Sequence, residues 1–257
     1  MMKKKIFLLL LLFNLSIASI AQRAVYITID GNTVPVDNLL MSDSVAAGRA
    51  YYSASFILSV TDDPSFYYIQ QALQKGNANV SVFYTRSAGT TTERQYRSVA
   101  LVQIKLPKLD AANRAVCKME VKIRSGQLSE KTTAAIVYKG SKAKAILSSS
   151  YSVSMDNLPT TRVASITGLE LKNNALISFE ISARDIDAWS QWLNSPGKKL
   201  NGSIFLLAPD FIDKIKQIKL DNAELVSVTR NIIANDDRIE RFIAVVKVAD
   251  ISMEDVK

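Results

Sequence analysis

Apolar and polar residues alternate one for one along much of this chain. The clearest run is Val116–Arg124, where Cys117, Met119, Val121 and Ile123 interleave with Lys118, Glu120, Lys122 and Arg124. Successive side chains of an extended strand point to opposite faces, so a period of two predicts a half-buried strand. Further strands are predicted at Val25–Ile29, Ser53–Val60, Asn79–Thr85, Tyr96–Leu106, Ser152–Met155, Val163–Leu171, Leu176–Ala183, Gly202–Leu207, Lys214–Leu220 and Phe242–Val248. Turn chemistry bounds them at Asp30-Gly31-Asn32, Ser87-Ala88-Gly89, Asp110 to Asn113 and Ala208-Pro209-Asp210.

Two segments change period to about 3.6 residues and predict helices. In the first, Asp63 stands as N-cap before Pro64, then Phe66, Ile69, Gln70 and Leu73 follow at helical spacing, and Gly76 closes the element. In the second, Asp185 is the expected cap, Ile186, Trp189, Trp192 and Leu193 form one stripe, and Pro196-Gly197 ends it. Each helix follows an apolar strand and precedes another. The stretch Leu128–Ser150 has no sustained period and mixes small residues with Lys131, Lys139, Lys142 and Lys144, so it reads as a connector with one short strand at Ala134–Tyr138.

The two sides of that connector resemble each other. Ile27-Thr28-Ile29-Asp30 matches Val153-Ser154-Met155-Asp156, and Ala54-Ser55-Phe56-Ile57-Leu58 falls near Ala175-Leu176-Ile177-Ser178-Phe179. Gln71-Ala72-Leu73 matches Gln191-Trp192-Leu193, and Val121-Lys122-Ile123 matches Val246-Lys247-Val248. The expected organisation is a leader at 1–21, a β domain at 22–128, a linker at 129–149 and a second β domain at 150–257.

Each half resembles the tail-tube proteins of contractile phage tails, a group structurally related to the tube protein of type VI secretion. The residues that carry the resemblance in the second half are Tyr151-Ser-Val-Ser-Met-Asp156-Asn-Leu158-Pro159, Arg162-Val163 to Gly168-Leu169-Glu170 and the helix with Trp189 and Trp192. Leu200-Asn201-Gly202-Ser203-Ile204, Leu220-Asp221-Asn222-Ala223 and Val246-Lys247-Val248 follow. Tyr96-Arg97-Ser98-Val99 and Leu106–Asn113 match in the first half. The resemblance implies a mainly β fold with one helix per repeat, two tandem β-barrel or sandwich domains that associate side by side into rings. Three chains would then supply six equivalent domains in a closed head-to-tail ring.

The amino terminus qualifies that expectation. MMKKKIFLLLLLFNLSIASIA has a basic start, a short apolar run and small residues Ser19 and Ala21 before an expected cleavage ahead of Gln22. This is the pattern of a secretory signal peptide, and its apolar run is too short to span a bilayer. Tube proteins of the resembled group assemble in the cytoplasm without such a leader. The sequence therefore points to an exported protein, periplasmic, cell-surface or extracellular, that either forms rings or keeps the fold as a two-domain binding or scaffold module for a protein or carbohydrate.

Composition excludes most chemistry. The 257 residues include no His and one Cys, which removes His-dependent triads, His metal sites and an intramolecular disulfide. Loss of the leader takes three lysines and lowers the formal charge from +8 to +5, with no basic helix to argue for nucleic acid and no membrane role after cleavage. The acidic pairs Asp62-Asp63, Asp185 with Asp187 and Asp236-Asp237 read as helix caps and a turn. Trp189 with Trp192, Tyr51-Tyr52 and Tyr67-Tyr68 read as core or half-buried aromatics, and Cys117 as a buried thiol. Asn79-Val-Ser81 and Asn201-Gly-Ser203 match the glycosylation triplet weakly. No phosphate loop or nucleophile elbow is present, so the expectation is a non-enzymatic protein with no catalytic residues, no cofactor and no metal.

Overall fold

The computed structural model describes residues 25–256, apart from 47, 86–89, 135, 137, 139, 141 and 232–239. The expected signal peptide, the expected turn at Ser87-Ala88-Gly89 and the pair Asp236-Asp237 lie outside the described residues. Strands dominate, and two curled antiparallel sheets carry almost all of the ordered backbone.

The first sheet contains β1 (Val25–Ile29), β2 (Asn32–Val36), β3 (Asn38–Ala46), β4 (Arg49–Ser59), β5 (Ala78–Thr85), β6 (Thr91–Lys105), β8 (Lys118–Ser125) and β9 (Gln127–Thr133). Their order is β2-β1-β5-β6-β8-β4-β3, with β9 continuing along β6. β2 and β3 stand at opposite ends of that order, yet only Asp37 separates them in sequence. One residue spans less than ~4 Å, so the sheet has to curl until its two ends meet. Asp37 marks the closure, donating its backbone N–H to Ile57 O at 3.0 Å.

The second sheet takes β10 (Tyr151–Met155), β11 (Ser165–Thr167), β12 (Ala175–Ser182), β13 (Leu200–Leu207), β14 (Lys214–Asn231) and β15 (Arg241–Asp255). Its order is β10-β13-β14-β15-β12-β11, followed by β7 (Leu109–Asp110), which comes from the first half. It closes in a similar way: the chain turns after β10 and returns beside it, where Thr160 Oγ1 donates to Val153 O at 2.7 Å and Tyr151 Oη to Val163 O at 3.1 Å. From there it enters β11 at the far end of the order. Leaving out β2, β7 and β9, the two sheets have the same strand order, and each has one helix in the same connection.

Helix α1 (Pro64–Lys75) joins β4 to β5 and α2 (Ile186–Leu193) joins β12 to β13. Asp63 accepts from Ser65 N at 2.7 Å, and the α1 stripe Phe66, Ile69, Gln70 and Leu73 is buried, as its spacing requires. The second helix departs from expectation at its start. A 3₁₀ turn, Ala183–Asp185, precedes it, Ser182 caps that turn, and Asp185 makes no side-chain cap bond. Asp185 is instead buried and receives Arg162 Nη1 at 3.0 Å. Leu193, expected on the buried stripe, is partly exposed at the end of the helix.

The core follows the alternation. Ala54, Phe56 and Leu58 of β4 face Met119, Val121 and Ile123 of β8, and Ala175, Ile177 and Phe179 of β12 face Ala244, Val246 and Val248 of β15. Three elements differ from the sequence pattern. Residues 129–133, expected as linker, are strand: β9 is polar and exposed, and its backbone pairing with β6 rather than an apolar face holds it. Ala134, Ile136 and Tyr138, expected as a short strand, lie outside any strand. Of Val163–Leu171, only Ser165–Thr167 is strand, because Gly168 turns the backbone at φ +80°.

Candidate functional site

The residues with candidate chemistry take structural places. Asp62 Oδ1 accepts Lys144 N at 2.8 Å, Asp63 caps α1, and Asp187 is exposed in the first turn of α2. Cys117 is fully buried, and burial pushes its thiol up to about 12. Trp189 and Trp192 are buried with their indole N–H groups bonded to Pro159 O and Lys198 O, so they offer no platform for a sugar. Tyr51, Tyr52 and Tyr67 are half-buried, but Tyr68 is exposed, contrary to expectation. Among the described residues no cluster of acids and thiols could hold a metal ion, and no helix is long and apolar enough to cross a membrane.

Asn79 and Asn201 have a specific geometric role. Each lies at a register shift, between β5 and β6 and between β13 and β14 respectively. Opposite them Ser98 and Asn222 have φ of 45° and 52°, and each donates its backbone N–H to the asparagine Oδ1 at 3.1 Å. The side-chain acceptor satisfies an N–H that the bulge removes from the ladder. A second matched irregularity follows at Val102 and Val226, which sit in bulges of β6 and β14 and are 50% and 52% exposed.

A cavity of about 410 Å³ is lined by Arg162, Ala164, Ser182, Ala183, Arg184, Glu240 and Arg241. Its charges are largely balanced. Arg162 pairs with Asp185, Arg241 with Glu180 at 3.1 Å, and Glu240 with Arg230 at 2.6 Å.

The most extensive constructed feature is the seam between the halves. At the end of β6, Leu106 N donates to Leu169 O and Leu171 N to Ile104 O, both at 2.9 Å. The chain continues as β7 against β11, pairing Leu109 with Ile166 and Asp110 with Ser165, and Ala111 N reaches Ala164 O at 3.0 Å. Segment 104–111 therefore runs antiparallel along 164–171 and joins the two sheets edge to edge. The carboxylates here are held below their usual range, Asp110 by Lys108 and the Ala112 N–H, and Glu170 by Lys172 and Gln103.

Side chains reinforce the seam. Gln70 of α1 donates Nε2 to Met253 O of β15 at 2.8 Å. Lys216 of β14 is 1% exposed, pairs with Asp255, and places Nζ 5.2 Å from the Phe66 ring and 5.6 Å from the Tyr67 ring of α1. The sequence pattern passed over Lys216, although its parity with Ile218 and Leu220 sets it on the core face of β14. It also passed over β2, β3, β7 and β9.

The fold is thus mainly β, two antiparallel sheets with one helix each. No family model matches the chain, and neither does any curated protein. Solved structures resemble it at low identity. The chain is similar to a protein in the sheath–tube complex of an extracellular contractile injection system in its extended state, with 15% identity, TM-score 0.36, and coverage of 41% of this chain and 88% of that one. It is similar to the tube-terminating cap of the anti-feeding prophage, with 14% identity, TM-score 0.38, and coverage of 48% and 96%. For Hcp1 from Flavobacterium johnsoniae the identity is 9%, the TM-score 0.28, and the coverage 91% of this chain and 98% of that one.

Proposed function

We propose that this chain is an exported, non-enzymatic structural protein whose two β domains arose by duplication and self-associate into rings or a short tube. The carrying observation is the seam: two sheets of the same strand order are already joined side by side, edge to edge, by 104–111 and 164–171. Repetition of such a contact between chains gives a head-to-tail assembly, and three chains would close a pseudo-sixfold ring. The proposed domains are 22–128 and 150–257 with a connector at 129–149, and the pairing of β9 with β6 favours carrying the first on to Thr133. Buried Trp189 and Trp192 favour this reading over a carbohydrate-binding module.

The test is expression with the leader in place. Amino-terminal sequencing of the exported form is expected to begin at Gln22, and mass photometry with negative-stain microscopy to show rings. A species that stays monomeric at high concentration refutes the assembly reading.

A further inference from the structure

The seam inside the chain identifies which surfaces remain for a second copy. Every antiparallel join needs one strand edge from each side. The first half contributes the end of β6, just beyond the last residue that β5 pairs, Val99. The same place in the second half is the end of β14, beyond Ala223, the last residue that β13 pairs. From Glu224 to Asn231 that strand is paired by β15 on one side, and among the described residues nothing pairs its other side. The receiving edge in the second half is β11, which pairs β12 and is covered by β7. Its counterpart in the first half is β3, which pairs β4 and is terminal in the sheet order.

We propose that the end of β14, Val228–Asn231, of one copy adds to the open edge of β3, Asn38–Ala46, of a second copy. The inference rests on the assembly reading above and gives it a direction. The contact is heterologous, so each chain has one contributing and one receiving edge, and association continues until a ring closes. β3 has nine residues, of which Leu40 is 70% and Val45 76% exposed. A long exposed edge of this kind is a template for a further strand, and no proline or lysine blunts it.

The test uses mature full-length protein with Ser44→Pro in β3 or Thr229→Pro in β14. A proline on a strand edge withholds a donor and blocks addition. Each variant alone is expected to be monomeric by mass photometry at concentrations where the wild type is a ring. An equimolar mixture is expected to give a heterodimer that grows no further, because one functional edge of each kind remains. Melting temperature and far-ultraviolet circular dichroism establish that each variant is folded.

Should a proline variant unfold, Leu40→Lys and Leu40→Glu replace it. Made in a Glu240→Gln background that frees Arg230 from its acid partner, these leave the backbone intact and set a like or an opposite charge on the edge that would meet Arg230. The lysine variant is expected to raise the dissociation concentration at least tenfold over the glutamate variant. Rings that persist in both proline variants, or lysine and glutamate variants that behave alike, overturn this seam while leaving the assembly reading intact. A symmetric dimer as the final wild-type species overturns the heterologous contact, and a monomeric wild type overturns both readings.

Discussion

Asp255 and Lys216 respond unequally to removal, and the inequality follows from where each side chain sits. Lys216 is 1% exposed against Phe66 and Tyr67, whereas Asp255 is 34% exposed at the end of β15. Removing one partner of a buried pair costs about 3–5 kcal/mol because the other charge is left uncompensated. Partial exposure of the acid brings the expectation for Asp255→Ala down to about 2–3 kcal/mol. In a chain of this size that is a fall of about 4–12 °C in melting temperature.

Lys216→Met is expected to stay within about 1 kcal/mol of the wild type. Its thioether fills the space between the two rings, with sulfur–aromatic contacts of about 0.3–1.5 kcal/mol, and Asp255 is left where water can solvate it. The double variant should then resemble Lys216→Met alone, giving a coupling of at least ~1 kcal/mol in a double-mutant cycle. Chemical denaturation of the four proteins measures this. If Lys216→Met is as costly as Asp255→Ala, or if the two effects add, the buried-charge argument is wrong.

Glycine at 168 is required more strictly than glycine at 48. Both have positive φ, but an added Cβ at Gly168 would lie 2.3 Å from Leu176 O, whereas at Gly48 it meets nothing within 4 Å. Gly48→Ala should cost about 1 kcal/mol and Gly168→Ala at least about 3 kcal/mol, measured by urea unfolding. Asn79→Ala and Asn201→Ala, each leaving one bulge N–H without its acceptor, should destabilise by similar amounts, about 0.5–1.5 kcal/mol. Acid should weaken the seam. Asp110 and Glu170 have depressed pKa values when folded, so their contribution is complete above the unfolded carboxylate range and is lost as pH falls through the folded values. A melting temperature that drops between about pH 5 and 3, and drops less in Glu170→Gln, is the expected result. Alkali acts on Cys117 with the opposite sign. Burial pushes its folded thiol up to about 12, so the unfolded state loses its proton first and stability falls as pH rises from the ordinary thiol range towards that value. Cys117→Val should flatten that limb of a pH–stability profile.

Local pattern alone determined most of the core and the strands and helices that bury an apolar face. The Cys117–Ile123 alternation, the α1 stripe and the capping residues Asp63 and Gly76 all fall as their spacing requires. These features are legible because burial on one face writes a period into the sequence itself. Ala54–Leu58 and Ala175–Phe179 likewise pair equivalent residues of β8 and β15, with Ala54 opposite Ile123 and Ala175 opposite Val248.

What only the tertiary structure decided is how the edges meet. β3 is exposed along most of its length, Leu40 and Val45 included, and β9 is exposed and polar, so backbone bonds hold both and no buried period announces them. β7 has two residues and exists because β11 lies beside it. Asp185 reads as a cap in sequence, but Arg162, more than twenty residues away, turns it into a buried ion pair. Edge pairing and long-range charge compensation depend on which surfaces the fold brings together, and a one-dimensional pattern does not contain that information.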